Sequence, residues 1–245
     1  MAVLLKISYD GTDYCGWQSQ KNGCSIQEKL EDAIFKLTGE AVKTVASGRT
    51  DAKVHALGQV VSFQLSEEGI RRFAQDDRMT MGTNYYLPDS IRVIDVSITE
   101  NDFNARFFAK RKTYTYKIYA AKIENPLLKN RALRVNTIDI EDLKEKAKLF
   151  VGEHDFKRYN SSGGGAKTTV RTIYDLKVSE SNYFDQRIVE IEVTANGFLY
   201  NMVRKIVGVL LKRDGEFIKK TLIPPFETAK EIVAGHGLYL KSVEY

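Results

Sequence analysis

The residue types that most often hold metals are scarce in this chain. Its 245 residues include two cysteines and three histidines. Cys15 and Cys24 stand nine apart with no second pair, which argues against a closed zinc site. Both read as free thiols of a reducing compartment. His55, His154 and His236 fall one per region, too scattered for a metal enzyme. A second absence is any apolar run near the ~20 residues that span a bilayer, so no membrane association is expected. A third is a secretory leader: Met1-Ala2-Val3-Leu4-Leu5-Lys6 alternates like a strand, without a basic start or cleavage site. Cytoplasmic residence is the expectation. Nucleotide chemistry is disfavoured too, because Ser161 and Ala166 stand where a phosphate-binding loop needs glycines. The loop Ser161–Thr168 is then either a basic segment that orders on RNA or a plain linker. No Ser–His–Asp or Cys–His arrangement can be argued from the sequence.

What is present is an ordinary globular composition, 43% hydrophobic and 28% charged, with a clustered basic excess. The net charge is +5. Residues 104–123 hold Arg106, Lys110, Arg111, Lys112, Lys117 and Lys122 with no acid among them. Lys157, Arg158, Lys167 and Arg171 lie in another acid-free stretch. Bases gathered in this way suit a polyanion, since each neutralised phosphate releases condensed counterions. Solvated strand edges and loops are the plainer explanation.

Periodicity places the elements. Val3, Leu5, Ile7 and Tyr9 share one face of a strand over 3–9. Ser25 and Glu28 have capping-box spacing at the start of a helix whose stripe is Ile26, Leu30, Ala33, Ile34 and Leu37, with Gly39 at its stop. Strands are expected at 42–47, 58–65, 91–98, 112–121, 170–179, 187–195 and from 238 onward, and helices at 67–78, 139–151 and 198–213. Each half thus offers a strand, a helix and further strands. The fold expected is α+β: two similar subdomains, 1–105 and 106–245, with mostly antiparallel sheets joined into one larger sheet. Helices are expected on one side, with an RNA cleft between the subdomains.

Three places carry chemistry-bearing residues. Gly48-Arg49-Thr50-Asp51-Ala52-Lys53-Val54-His55 is a polar loop between two strands. An Asp two residues from an Arg can stay ionised when partly buried, though Asp51 could equally cap turn donors. Tyr114 and Tyr116 sit in the most basic segment, where aromatic rings suit base stacking, or form the buried face of a strand. Arg204 borders the apolar stripe of a helix, either seeking a carboxylate or snorkelling. Glu67-Glu68 and Asp76-Asp77 read as solvated helix charge.

A set of ordered motifs resembles one family, that of tRNA pseudouridine synthase A. Tyr9-Asp10-Gly11-Thr12-Asp13-Tyr14-Cys15-Gly16-Trp17-Gln18-Ser19-Gln20 is similar to its opening signature, and Ser25-Ile26-Gln27-Glu28 to its first helix. Gly48-Arg49-Thr50-Asp51-Ala52 with Val54-His55-Ala56 resembles its catalytic motif. Asn104-Ala105-Arg106-Phe107 and Tyr114-x-Tyr116 follow in the family order, as do Asn201-Met202-Val203-Arg204 and Gly237-Leu238-Tyr239-Leu240. The resemblance implies a cofactor-free isomerisation of uridine in the tRNA anticodon stem-loop by a homodimer. It implies Asp51 as nucleophile, acting at C1′ or C6, and Tyr114 stacked on the uracil and helping to remove the C5 proton. Arg204 would pair with Asp51, Leu238 would line the uracil pocket, and Arg49 would help extrude the base. Arg106, with the basic residues Lys110, Arg111 and Lys112, would hold the RNA backbone.

The chain also departs from the family pattern. Lys53 stands where the family usually has glycine. If the position needs positive φ, a lysine strains the loop by roughly 1 kcal/mol or more; the alternatives are a reshaped loop or a lysine that reaches RNA. The segment Ala234-Gly235-His236-Gly237 lacks the proline-bearing stretch usual there, and Gly163-Gly164-Gly165 is an uncommon run. The competing readings are an RNA-binding protein that kept the fold and lost catalysis, and a metal-dependent nuclease. The second would need clustered carboxylates.

Overall fold

The computed structural model describes residues 1–20, 24–73, 77–99, 103–163, 165–183 and 185–245. The chain forms two compact units, Met1–Lys110 with Leu240–Tyr245, and Arg111–Tyr239.

In the first unit the order is β1 (Ala2–Tyr9), α1 (Ile26–Thr38), β2 (Val45–Ala46), β3 (His55–Gln64), α2 (Glu67–Phe73), α3 (Arg78–Tyr86) and β4 (Ile91–Thr99). The strand β1 lies between β3 and β4, antiparallel to both. Its alternating side chains Val3, Leu5 and Ile7 are wholly buried and Tyr9 nearly so, as the period-2 pattern requires. The helix α1 begins as its sequence signals: the Ser25 hydroxyl accepts the Glu28 N–H, the Glu28 carboxylate takes the Ser25 N–H, and Gly39 closes the end at φ 76°. Leu30, Ala33 and Ile34 carry its buried stripe.

In the second unit come β5 (Arg111–Ala120), β6 (Leu133–Val135), α4 (Ile140–Lys148), β7 (Gly152–Asp155), β8 (Val170–Tyr183), β9 (Gln186–Ala195), α5 (Met202–Lys212) and α6 (Gly215–Leu222). The strands β5, β9, β8 and β7 pair antiparallel in that order, and β6 runs parallel to β5. The last strand, β10 (Leu238–Glu244), starts in the second unit and ends in the first, where it neighbours β3. The fold is α+β with mostly antiparallel strands.

The differences from the sequence reading have local causes. The strand expected at 42–47 shrinks to two residues. The helix expected at 67–78 is α2, ending at Phe73. Residues 74–76, Asp76 among them, lie outside the described residues, as does Gly164. The helix α3 was not foreseen, because its apolar stripe is weak: Met79 and Thr83 alone are buried. The helix expected over 198–213 begins only at Met202, because Asn201 takes a left-handed conformation at φ 63°. Short β6 and β7 and the two-turn α6 carry too few residues for periodicity to register.

Candidate active site

Two polar segments of the first unit meet, Tyr9–Trp17 from the end of β1 onward and Ser47–His55 from the end of β2 to the start of β3. The second is pinned at both ends and in the middle. Ser47 donates its N–H to the Val60 carbonyl at 2.8 Å and its hydroxyl to Gln59 Oε1 at 2.5 Å, and Gln59 Nε2 returns a bond to the Gly48 carbonyl at 2.8 Å. Thr50 is buried, its hydroxyl 2.8 Å from the Tyr9 phenol and its carbonyl accepting the Trp17 N–H at 3.0 Å. Beyond Asp51 the Lys53 N–H donates to the Tyr14 carbonyl at 3.2 Å, and the Val54 N–H to the Asp51 carbonyl at 3.2 Å. The imidazole of His55 is buried; its Nδ1 accepts the Gly11 N–H at 3.1 Å and stands 3.1 Å from Asp10 Oδ1, which also takes the Thr12 hydroxyl at 2.6 Å.

Close approach makes this bracing possible. Gly16 has φ 104°, and a Cβ on it would stand 2.6 Å from the Thr50 carbonyl oxygen and 3.0 Å from the carbonyl carbon of Asp51. Only a glycine lets the backbone lie so near. Burial pushes the Tyr9 phenol up to about 12, against the opposing bonds from Thr50 and Gln59. Tyr9 therefore stays neutral near pH 7 and acts as a fixed hydroxyl.

Within this frame Asp51 is half-buried, while Arg49, Ala52 and Lys53 on either side are exposed. Lys53 has φ 65°. The condition set by the sequence reading is met: this position is left-handed, where glycine is at ease and lysine is strained. Arg106 and Lys110 are exposed elsewhere in the same unit. The Ala105 N–H bonds to the Ser62 hydroxyl at 3.0 Å, the Ala105 carbonyl accepts the Tyr245 phenol at 3.0 Å, and the Lys110 N–H reaches the Glu244 carbonyl at 2.8 Å. The backbone that carries both cations is thus fixed from inside.

The second unit carries the other site residues suggested by the sequence. Tyr114 sits in mid β5 opposite Val193, buried, edge-on to Phe198 with ring centroids 5.1 Å apart. Arg204, in the first turn of α5, is half-buried. Its Nε donates to the Val233 carbonyl at 2.8 Å and its Nη1 to Asn201 Oδ1 at 2.8 Å. Leu238 is buried at the start of β10. Arg111 is exposed with its guanidinium 4.6 Å over the Tyr174 ring, and Lys112 is half-buried opposite Ala195.

Tyr116 is different. It is wholly buried, its phenol donates to the Ala234 carbonyl at 2.7 Å, and burial raises its pKa against the charge of Arg204. Base stacking, open to it from the sequence, is closed by this burial.

Among the described residues no group of three or more His, Cys, Asp or Glu is placed to hold a metal ion, and no helix is long and apolar enough to cross a membrane.

A family model described as tRNA pseudouridine synthase matches residues 6–107 and 147–245. The chain belongs to the tRNA pseudouridine synthase family. Similar proteins include tRNA pseudouridine synthase A of Acetivibrio thermocellus, 42% identical over 250 residues and covering 99% of each chain. The protein of that name from Caldicellulosiruptor bescii is 40% identical with the same coverage. tRNA pseudouridine synthase A 2 of Bacillus thuringiensis subsp. konkukian is 37% identical over 249 residues, 98% of each. The pseudouridine synthases are isomerases, and both matched segments contain candidate site residues. The first holds Asp51 and its braces, the second Arg204 and Leu238. Tyr114 falls between them. The braces Tyr9, Thr50 and Gln59 and the Arg204 partner Asn201 were not singled out as site residues from the sequence. Thr50 and Asn201 share motifs with Asp51 and Arg204, so proximity along a motif was the available signal for them, and Tyr9 lies in the opening motif.

Proposed function

We propose that this pseudouridine synthase acts on uridines of the tRNA anticodon stem-loop, with Asp51 as its nucleophile. The observation that carries this reading is the placement of Asp51: half-buried, between a Thr50 carbonyl and a Lys53 N–H both held by backbone partners. A nucleophile held on both sides pays little reorganisation on attack. The reaction breaks the N1–C1′ bond and forms C5–C1′; the C5 proton leaves and N1 gains one. Atoms and electrons balance within the nucleoside, so no cofactor is called for.

In this reading Tyr114 stacks on the uracil and helps take the C5 proton, Arg204 pairs with Asp51, and Leu238 lines the uracil pocket. Arg49 assists extrusion of the base, which costs a few kcal/mol. Lys53, Arg106, Lys110, Arg111 and Lys112 meet phosphates. The active form is a homodimer in the cytoplasm.

The test is tritium release from tRNA transcripts carrying C5-labelled uridine, joined to chemical mapping of pseudouridine in cellular RNA with and without the protein. Release by the wild type, its loss in Asp51→Ala and mapped sites in the anticodon stem-loop are expected. Release by Asp51→Ala would remove the nucleophile assignment. Mapped sites elsewhere would remove the target assignment, and a single protomer by light scattering the dimer.

A further inference from the structure

Asn201 occupies the N-cap position of α5 yet makes no side-chain cap bond. An N-cap asparagine ordinarily accepts an N–H of the first turn, which stabilises the helix. Here the residue is also left-handed, at φ 63°, a conformation that asparagine tolerates better than most residues but that still costs energy. Two local preferences are given up at one residue, and departures of this kind gather at functional sites.

The amide is spent elsewhere. Its Oδ1 accepts Nη1 of Arg204 at 2.8 Å, and its Nδ2 donates to the Ser161 hydroxyl at 3.1 Å. The Arg204 bond fixes which way the amide faces, and the Ser161 hydroxyl then holds its NH2 end. An amide turned over would present its NH2 to a guanidinium that can only donate. Arg204 is then held at two of its nitrogens, Nη1 by Asn201 and Nε by the Val233 carbonyl, and the Val233 N–H returns a bond to the Arg204 carbonyl at 3.3 Å. Ser161 is itself tied down: its N–H donates to the Tyr200 carbonyl at 3.0 Å, and Lys205 Nζ reaches the Asn160 carbonyl at 3.2 Å. Ser161 opens the glycine-rich basic loop.

We propose that Asn201 is a positioning residue for the isomerisation: its amide, anchored by Ser161, fixes the guanidinium of Arg204 in its working pose. This rests on the assignment of Arg204 to the reacting site made above.

Asn201→Gly is the decisive variant. Glycine is at ease at φ 63°, so it removes the amide without adding backbone strain. Single-turnover tritium release is expected to slow about tenfold, with tRNA Kd within twofold and Tm not lowered. Ser161→Ala is expected to slow release about threefold, and the double variant no more than Asn201→Gly alone, because the two act in series. Wild-type release in Asn201→Gly would overturn the proposal, as would a Ser161→Ala loss that multiplies in the double variant, or a tRNA Kd weakened in step with the rate. Arg204→Lys separates the underlying reading from this one. If it retains full activity, Arg204 is not at the reacting site and both fall. If it is inactive while Asn201→Gly is normal, only the positioning role falls.

Discussion

Gly11 is packed against the backbone of Val54, so closely that a Cβ on it would stand 2.0 Å from the Val54 carbonyl oxygen. The obstacle is main chain and cannot swing aside. Val54 is three residues past Asp51 and its N–H bonds to the Asp51 carbonyl, so any shift of one moves the other. Gly11→Ala is therefore expected to destabilise the protein by about 1–3 kcal/mol, the range for forced overpacking. Tritium release should fall more than the folded fraction explains. Thermal unfolding and release on the same preparation check both, and an unchanged Tm would show that the segments are not in contact.

Lys53→Gly should act in opposite directions on stability and on RNA binding. Relief of the left-handed lysine at φ 65° is expected to stabilise the fold by about 1 kcal/mol. Loss of an exposed cation beside Asp51 should weaken tRNA binding and lower the slope of log K against log salt by about 1. Calorimetry and a salt series of tRNA titrations read the two effects separately.

Tyr9→Phe should change the alkaline limb of stability. The phenol is an acid whose folded pKa, about 12, lies above its ordinary value of 10.0. The unfolded chain therefore loses this proton first. The stabilisation that Tyr9 contributes is complete below pH 10 and is lost as pH rises through about 12, a gap worth about 3 kcal/mol. In Tyr9→Phe that part of the decline should vanish, and stability at pH 7 should drop by about 1 kcal/mol for the lost Thr50 bond. Urea unfolding at pH 7 and across pH 10–12 measures it. Tyr116, Tyr159 and Tyr245, whose pKa values burial also raises, contribute to the residual slope.

Tyr114 and Tyr116, two residues apart on β5, should separate cleanly. Tyr116→Phe removes a buried phenol from the Ala234 carbonyl and is expected to cost about 1 kcal/mol of stability, with release within about twofold of wild type. Tyr114→Ala is expected to slow release by on the order of 10²-fold, the lower range for loss of a proton-transfer group, while tRNA still binds. Equal losses in the two variants would remove the special role of Tyr114.

Much of the architecture was legible because its signals are local. The capping box of Ser25 and Glu28, the stop at Gly39 and the alternation along β1 each act within a few residues, and the structure reproduces all three. The cost attached to Lys53 could be posed from sequence only as a condition on φ; the folded loop supplied the angle. The start of α5 was misplaced by four residues, because the apolar stripe of Phe198 and Met202 continues through Asn201 as if the backbone did. The stripe reports burial, and Leu199 and Met202 are both buried, but it does not report the left-handed break between them.

By itself the sequence determined the α+β class and the motif order that marks the family, and it put Asp51 forward for the proposed chemistry. Only the tertiary structure decided what surrounds it. Thr50 is held by a phenol 41 residues away, and the His55 imidazole by a Gly11 N–H 44 residues away. Asn201 gives up its cap for a hydroxyl 40 residues distant. Hydrogen bonds of that range leave no periodic trace along a chain, because the partners are brought together by the packing of strands and loops whose own sequences encode something else.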